Sequence, residues 1–245
     1  PEVLRVALGL SVPASIEASH LEVPMRPPGL CPGCAHAHVF SVLRDKGLFV
    51  SGDIGCYSLG VLPPFTAMDT LVDMGASITM AHGMDAVLAQ TGKSHAERGQ
   101  VAAVIGDSTF AHSGITGLLN AIWNKRDGLY VVLDNGTTAM TGAQENPMSG
   151  ERMGRENSTH VDYVLLCRGL GMAEENVMVI DGTDSAAVSA AIDALVVKPG
   201  VKLLACVGLC VMEAKDLSRC GKLAEKKAWR ALELTPTAGK VGADA

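Results

Sequence analysis

Apolar residues fall into two alternating patterns along the chain. Short runs such as "LFVSGD" (48–53), "VAAVIGDS" (101–108), "LYVVLDN" (129–135), "NVMVIDG" (176–182) and "VKLLACVG" (201–208) are apolar without in–out alternation. Uninterrupted strands of this kind belong to parallel sheets covered on both faces. Between them, "AHAHVFSVLRDKG" (35–47), the segment from Gly75 to about Gln90, "HSGITGLLNAIWNKRDG" (112–128), "VDYVLLCRGLG" (161–171) and "SAAVSAAIDALVV" (185–197) carry helical spacing. Strands alternating with helices predict an α/β class, a doubly wound, mostly parallel sheet. Residues 1–30, with the proline-rich "VPMRPPGL", read as an arm; 31–211 read as the α/β domain, and 212–245 as a charged C-terminal helix and tail. Residues 145–160 are polar and read as a long loop.

Composition narrows the picture. Apolar residues make up 48% of the 245 positions but aromatics only 4%, so Ala, Val, Leu, Ile and Met must build the core. The net charge of −6 comes from interspersed charges, with no basic stripe of the kind nucleic acid requires. No apolar run is long enough to span a membrane. The N-terminus lacks the charged and apolar regions of a signal peptide. It also lacks Met, as a processed chain or a fragment would. Seven cysteines without a secretion signal point to a reducing, cytoplasmic compartment and to metal or redox chemistry.

Ligands of open α/β sheets bind at the carboxyl ends of strands. Gly52-Asp53, Gly106-Asp107-Ser108 and Asp134-Asn135 all stand there. Gly-Asp-Ser alone fits a turn or a helix cap. One βαβ unit later, however, Asn135 comes close to Asp107, and the two can offer oxygens to one hard cation. A backbone carbonyl near Thr137 completes the set, and a helix N-terminus near His112 or Ser113 favours phosphate. His112 reads either as lining this site or as a polar first-turn residue. "CPGC" gives Cys31 and Cys34, with His36 and His38 following. One such pair fits a zinc half-site, a redox pair or two buried thiols. The two histidines read as surface or capping residues.

These segments resemble the 2-oxoacid:ferredoxin oxidoreductases. "RPPGLCPGCAHAHVF", "SGDIGCYSLGVLPPFTAMDT", "MGASITMAHG", "GDSTFAHSGITGLLNA" and "LDNGTTAMTG" occur in that order. They are most similar to the thiamine diphosphate (TPP) region of the indolepyruvate ferredoxin oxidoreductase large subunit, with Ser108 in place of the commoner Gly. The resemblance implies the diphosphate-binding half of a thiamine diphosphate-binding fold. It implies Mg²⁺ held by Asp107, Asn135 and the Thr137 main chain. It extends the cofactor site to Gly55, Cys56, Gly75, Gly106, Ser108, Thr109, Thr138, Ala139, Met140 and Thr141. It maps one [4Fe–4S] cluster onto Cys31, Cys34, Cys56 and Cys210, with Cys206 a rival fourth ligand and a cluster-free role for these cysteines open.

The implied reaction is oxidative decarboxylation of a 2-oxoacid, an aryl-pyruvate first, to an acyl-coenzyme A. Electrons would pass through iron–sulfur clusters to ferredoxin. Neither an upstream pyrimidine-binding domain nor a C-terminal ferredoxin-like cysteine run occurs in these residues. The expected partners are therefore a subunit supplying the activating Glu and a ferredoxin-like iron–sulfur subunit or domain. A non-oxidative TPP-dependent decarboxylase or lyase is the alternative enzyme, and a metal-stabilised binding subunit the non-catalytic one.

Overall fold

The computed structural model describes residues 2–12, 14, 24, 25, 27–94, 97 and 100–234. The middle of the expected arm and the tail beyond residue 234 lie outside the described residues. The strands are β1 (Phe49–Gly52), β2 (Thr70–Leu71), β3 (Val101–Gly106), β4 (Gly128–Asp134), β5 (Glu151–Arg152), β6 (Glu156–Asn157), β7 (Val177–Asp181) and β8 (Val201–Val207). The helices are α1 (Glu2–Ala7), α2 (Ala35–Asp45), α3 (Ser77–Gln90), α4 (Ile115–Trp123), α5 (Tyr163–Gly169), α6 (Ser185–Val196), α7 (Val211–Arg219) and α8 (Leu223–Glu233).

Six strands form one sheet in the order β2-β1-β3-β4-β8-β7, and every pair in it is parallel. Every residue of β3, β4 and β8 is buried. Their side chains alternate between two cores, as the two-residue period of a strand demands. Ala102 and Val104 join Phe40 and Ile192 from α2 and α6 on one face. Ala103 and Ile105 join Ile78, Leu118 and Cys167 from α3, α4 and α5 on the other. Gly106 stands level with Leu133, and Leu133 with Cys206. The carboxyl ends of the three central strands therefore finish side by side.

Four details depart from the sequence expectation. The helix after β3 begins at Asp107 itself, not near His112, and passes through a π-helical turn (Phe110–Gly114) into α4. Polar Asp-Ser-Thr masks this start, yet Phe110 is wholly buried. The 145–160 loop contains the antiparallel pair β5–β6. The charged tail is two helices, α7 and α8, separated at Cys220–Gly221. Finally, β2 and a 3₁₀ turn (Cys56–Val61) are too short to leave a periodic pattern.

At the opposite, amino end of the sheet, Lys202 is fully buried. Its Nζ donates to the Lys198 carbonyl at 3.1 Å and lies 3.8 Å from Asp127 Oδ1. Asp127 also accepts the Gly200 amide at 2.6 Å. Losing one partner of such a pair strands a buried charge. Asp127→Ala is expected to cost about 3–5 kcal/mol, and adding Lys202→Met to recover more than half of that loss. Urea unfolding of the two variants checks this.

Candidate functional site

The loops leaving β1, β3 and β4 enclose a cavity of about 150 Å³. It gathers Gly55, Cys56, Gly106, Asp107, Ser108, Thr109, Asn135, Thr137, Thr138, Ala139, Met140 and Thr141 from three distant stretches of sequence. Two of the expected residues lie elsewhere. Gly75 sits behind the wall, and His112 is exposed on the π-helical turn, outside the lining. A larger hollow of about 620 Å³ runs along α3, lined mostly by apolar side chains such as Met80, Met84, Val87 and Leu88. Of its described lining only Thr79, Glu97 and Gln100 are polar, so size alone does not locate the chemistry.

Tyr57 shapes the cavity. Its hydroxyl donates to the Ile54 carbonyl at 2.9 Å and meets Thr109 Oγ1 at 3.1 Å. The ring lies so close to the backbone that a Cβ on Gly55 or Gly106 would come within 2.4 or 2.5 Å of it. Only glycine fits at these two positions. Behind the wall, buried Asp53 accepts the Gly75 amide at 2.9 Å, the Ile54 amide at 2.6 Å and the Ser77 hydroxyl at 3.1 Å. These bonds pin the loop after β1 to the start of α3. Gly75 (φ +97°) is where α3 meets the helix after β3: a Cβ there would stand 2.3 Å from Ser113 Oγ.

Asp107 and Asp134 are both buried, at the ends of adjacent strands. Asp134 is compensated. Arg230 Nη2 donates to its Oδ1 at 2.6 Å, the Tyr163 hydroxyl to its Oδ2 at 2.8 Å, and the Gly136 amide to its Oδ1 at 2.9 Å. Burial pushes this carboxyl up, but Arg230 and the other donors bring it below the ordinary value. Among the described residues the side-chain donor to Asp107 is Asn146 Nδ2, at 3.4 Å, and the Ser108 amide and the charge of Arg230 also favour its ionised form. Burial, and then the neighbouring Asp134 charge, push its carboxyl well above the ordinary value. Asn135 Oδ1 accepts the Thr137 amide at 3.1 Å, and its Nδ2 stands 3.4 Å from His36 Nε2. An amide nitrogen only donates, so the imidazole nitrogen accepts. Burial lowers this ring to about 4 and keeps it neutral. His36 is thus a buried support for Asn135, not a surface residue, whereas His38 is largely exposed and pairs with Ser185.

The loop from Thr137 onward closes on Gln144. The Thr138 amide donates to the Gln144 carbonyl at 2.8 Å, and Thr141 Oγ1 to Gln144 Oε1 at 2.6 Å. This is a structural reason for Thr141 and Gln144 standing three residues apart. Neither Tyr57, Asn146 nor Arg230 was marked by the sequence reading. Tyr57 stood inside a recognisable block, but Asn146 and Arg230 had no local signal.

Beside the cavity lie Cys31, Cys34, Cys56 and Cys210. Burial raises the Cys34 thiol first, followed by the charges of Cys31 and Cys210; burial likewise raises Cys56, followed by Cys210 and Cys31. Cys31 and Cys210 thus stand near both Cys34 and Cys56. Cys206 is apart: it is buried in the core against Gly182, and burial alone raises it. The backbone ties the group to the cavity, because the Cys210 amide donates to the Asn135 carbonyl at 3.1 Å. Cys56 also lines the cavity itself. Among the described residues no three His, Cys, Asp or Glu side chains converge on a single-ion site. Cys167 is buried in α5, and Cys220 is exposed after α7.

The Asp107 asymmetry has a measurable consequence. Its folded value is raised above the ordinary 3.8. Its contribution to stability is complete below that ordinary value and is lost as pH rises through the folded value. Without cofactor, Asp107→Asn is expected to melt higher than wild type at neutral pH, with the difference shrinking on acidification. Calorimetric scans across pH check this; a variant that melts lower at every pH contradicts it.

Residues 53–206 match the family described as "Thiamine pyrophosphate enzyme, C-terminal TPP binding domain". The chain is 44% identical over 169 residues to indolepyruvate oxidoreductase subunit IorA of Pyrococcus abyssi, covering 61% of this chain and 26% of that protein. It is 48% identical over 138 residues to the Pyrococcus horikoshii subunit, covering 53% and 21%. With the Archaeoglobus fulgidus subunit the identity is 39% over 158 residues, covering 62% and 24%. The chain spans about a quarter of the length of these relatives. In fold it is similar to a 2-oxoglutarate:ferredoxin oxidoreductase from Magnetococcus marinus, with a TM-score of 0.58 and 19% identity, covering 83% of this chain and 77% of that one. Together, the matched segment and the site it contains show that the chain belongs to the thiamine pyrophosphate enzyme family, as a C-terminal TPP-binding domain.

Proposed function

We propose that this chain is the TPP- and Mg²⁺-binding part of a 2-oxoacid:ferredoxin oxidoreductase, with indolepyruvate or another aryl-pyruvate as substrate. The observation that carries this is the shared wall. Cys56 lines the cofactor cavity and also stands in the group formed with Cys31, Cys34 and Cys210. A non-oxidative decarboxylase has no use for four thiols placed there, whereas an enzyme that removes electrons from its substrate does. The identity to the IorA subunits supports indolepyruvate.

The residues fit the cofactor. Asp107 is a buried carboxylate with one weak side-chain donor, and a divalent cation satisfies it. Asn135 Oδ1 and the Thr137 main chain add neutral oxygens. The free amides at the start of the helix at Asp107 would favour a diphosphate. Bound TPP supplies a carbon nucleophile for the keto carbon and an electron sink for loss of CO₂. Around it, Tyr57 and Thr109 hold the floor rigid, and the Gln144-closed loop carries Thr138 to Thr141 as a rim. Four thiolates suit a [4Fe–4S] cluster, which is wider than a single ion. Cys210, rather than core-buried Cys206, supplies the fourth.

A cavity of about 150 Å³ is small against the roughly 300 Å³ at the lower end of ligand pockets. That supports a site completed by a second domain or subunit. This partner would supply the Glu for the aminopyrimidine and part of the substrate and coenzyme A pocket. A ferredoxin-like subunit or domain would take the electrons. A reduced, cytoplasmic setting suits the free cysteines. Among the described residues no helix is long and apolar enough to cross a membrane.

The test is anaerobic purification of the assembled enzyme, with iron, sulfide and TPP measured on one sample and then turnover with indolepyruvate. The expected result is bound TPP and cluster iron, with dye reduction that requires coenzyme A. Release of CO₂ without dye reduction would favour the decarboxylase. Cys210→Ser is expected to lose the cluster's visible absorbance and Cys206→Ser to keep it; the reverse pattern would move the fourth ligand to Cys206.

A further inference from the structure

Helix α8 lies outside the family segment, which ends at residue 206. Among the described residues, none of those lining the cavity comes from it. Yet it inserts two buried cations, one turn apart, behind the cavity, against Asp134 and Gly208 and against Ser149 and Glu151. Arg230 Nη2 donates to the Asp134 carbonyl at 3.0 Å, to Asp134 Oδ1 at 2.6 Å and to the Gly208 carbonyl at 3.5 Å. One guanidinium thus bridges the turn carrying Asn135 and the loop carrying Cys210. Its Cζ is 3.4 Å from where a Gly136 Cβ would stand, so the turn is packed directly against it.

Lys226 Nζ donates to the Ser149 carbonyl at 3.0 Å and to Glu151 Oε2 at 2.9 Å. Ser149 Oγ in turn donates to the Asn146 carbonyl at 2.8 Å, and the Asn146 amide approaches Ser149 Oγ at 3.2 Å. Asn146 Nδ2 then reaches Asp107 Oδ2 at 3.4 Å. The Met148 amide, donating to Asn146 Oδ1 at 2.8 Å, fixes the direction of that side-chain amide. From one helix, therefore, two short chains of hydrogen bonds run toward the residues expected to hold the metal. One ends at Asp107, the other at Asp134, the residue before Asn135.

We propose that Arg230 is a positioning residue for the cofactor site, assisted by Lys226, and that docking of α8 and loading of Mg²⁺ with TPP favour each other. This rests on the reading of Asp107 and Asn135 as cofactor ligands. The guanidinium is needed for its geometry as well as its charge. Its Nη2, held at the end of a rigid plane, reaches the Asp134 carbonyl and carboxylate and the Gly208 carbonyl at once, which a lysine ammonium on a flexible stem does less well. Because coupling between two binding equilibria is reciprocal, a helix that orders the ligands must itself be held more firmly once the ligands are engaged.

Two measurements on the assembled enzyme test this. Hydrogen exchange of residues 223–233 is followed with and without Mg²⁺ and TPP, and TPP is titrated by calorimetry into wild type, Arg230→Lys, Arg230→Gln, Lys226→Met and Lys202→Met. The expected result is slower exchange in α8 on loading and TPP binding weakened about tenfold by Arg230→Gln. Arg230→Lys is expected to fall between Arg230→Gln and wild type. Lys202→Met, which disturbs a buried charge at the far end of the sheet, should leave affinity unchanged; a general loss of stability would weaken both. The proposal is overturned if loaded wild type shows unchanged exchange in α8, or if Arg230→Gln binds TPP as tightly as wild type. Should Arg230→Gln not fold, the exchange measurement on wild type decides alone. Wild type that binds no TPP with Mg²⁺ would instead defeat the reading of the site, and this proposal with it.

Discussion

Two carboxylates buried at the ends of neighbouring strands set the terms for this structure. Like charges in a water-poor setting repel, and each must find a positive partner or take up a proton. Asp134 has its partner inside the protein: Arg230, the Tyr163 hydroxyl and the Gly136 amide close around it. Asp107 is less complete: Asn146 reaches it at 3.4 Å, and the Ser108 amide and the charge of Arg230 offset burial only in part. The fold thus completes one half of the pair more fully than the other, and holding a cation is the role proposed for the second. A residue kept for that role would cost stability until its ligand arrives.

The rest of the site follows from that division. Level strand ends bring Asp107, Asp134 and the Gly208–Cys210 loop together, so whatever anchors Asp134 also anchors the cysteine loop. Tyr57 fills the space that side chains at Gly55 and Gly106 would otherwise occupy, and the cavity floor becomes a single packed unit. Cys56 stands beside that floor and near Cys31 and Cys210 as well. Proximity of this kind needs no moving part, only a rigid sheet edge and short loops.

Much of this was legible in the sequence. Uninterrupted apolar runs ending in Gly-Asp or Asp-Asn mark buried parallel strands, and their carboxyl ends mark the site. Asp107, Asn135 and Thr137–Thr141 line a cavity at those strand ends, and Cys56 lines it with them. What was illegible shares one cause: it depends on contacts between residues far apart in the chain. Arg230 reads as one more charge on a polar helix, because its partner is 96 residues away. His36 reads as a surface residue until Asn135 and Tyr57 are placed over it. His112 follows the motif immediately, yet helical geometry from Asp107 onward turns it to solvent.

The central claim, that Asp107 is left incompletely compensated in order to hold a metal on the cofactor's diphosphate, is tested most directly by replacing Mg²⁺ with Mn²⁺ in the assembled enzyme. Electron–nuclear double resonance then reads which nuclei touch the metal. The account predicts phosphorus coupling to protein-bound Mn²⁺ only when TPP is present, and loss of the bound metal in Asp107→Asn. Mn²⁺ retained equally by that variant, or bound without phosphorus coupling when TPP is present, would contradict it.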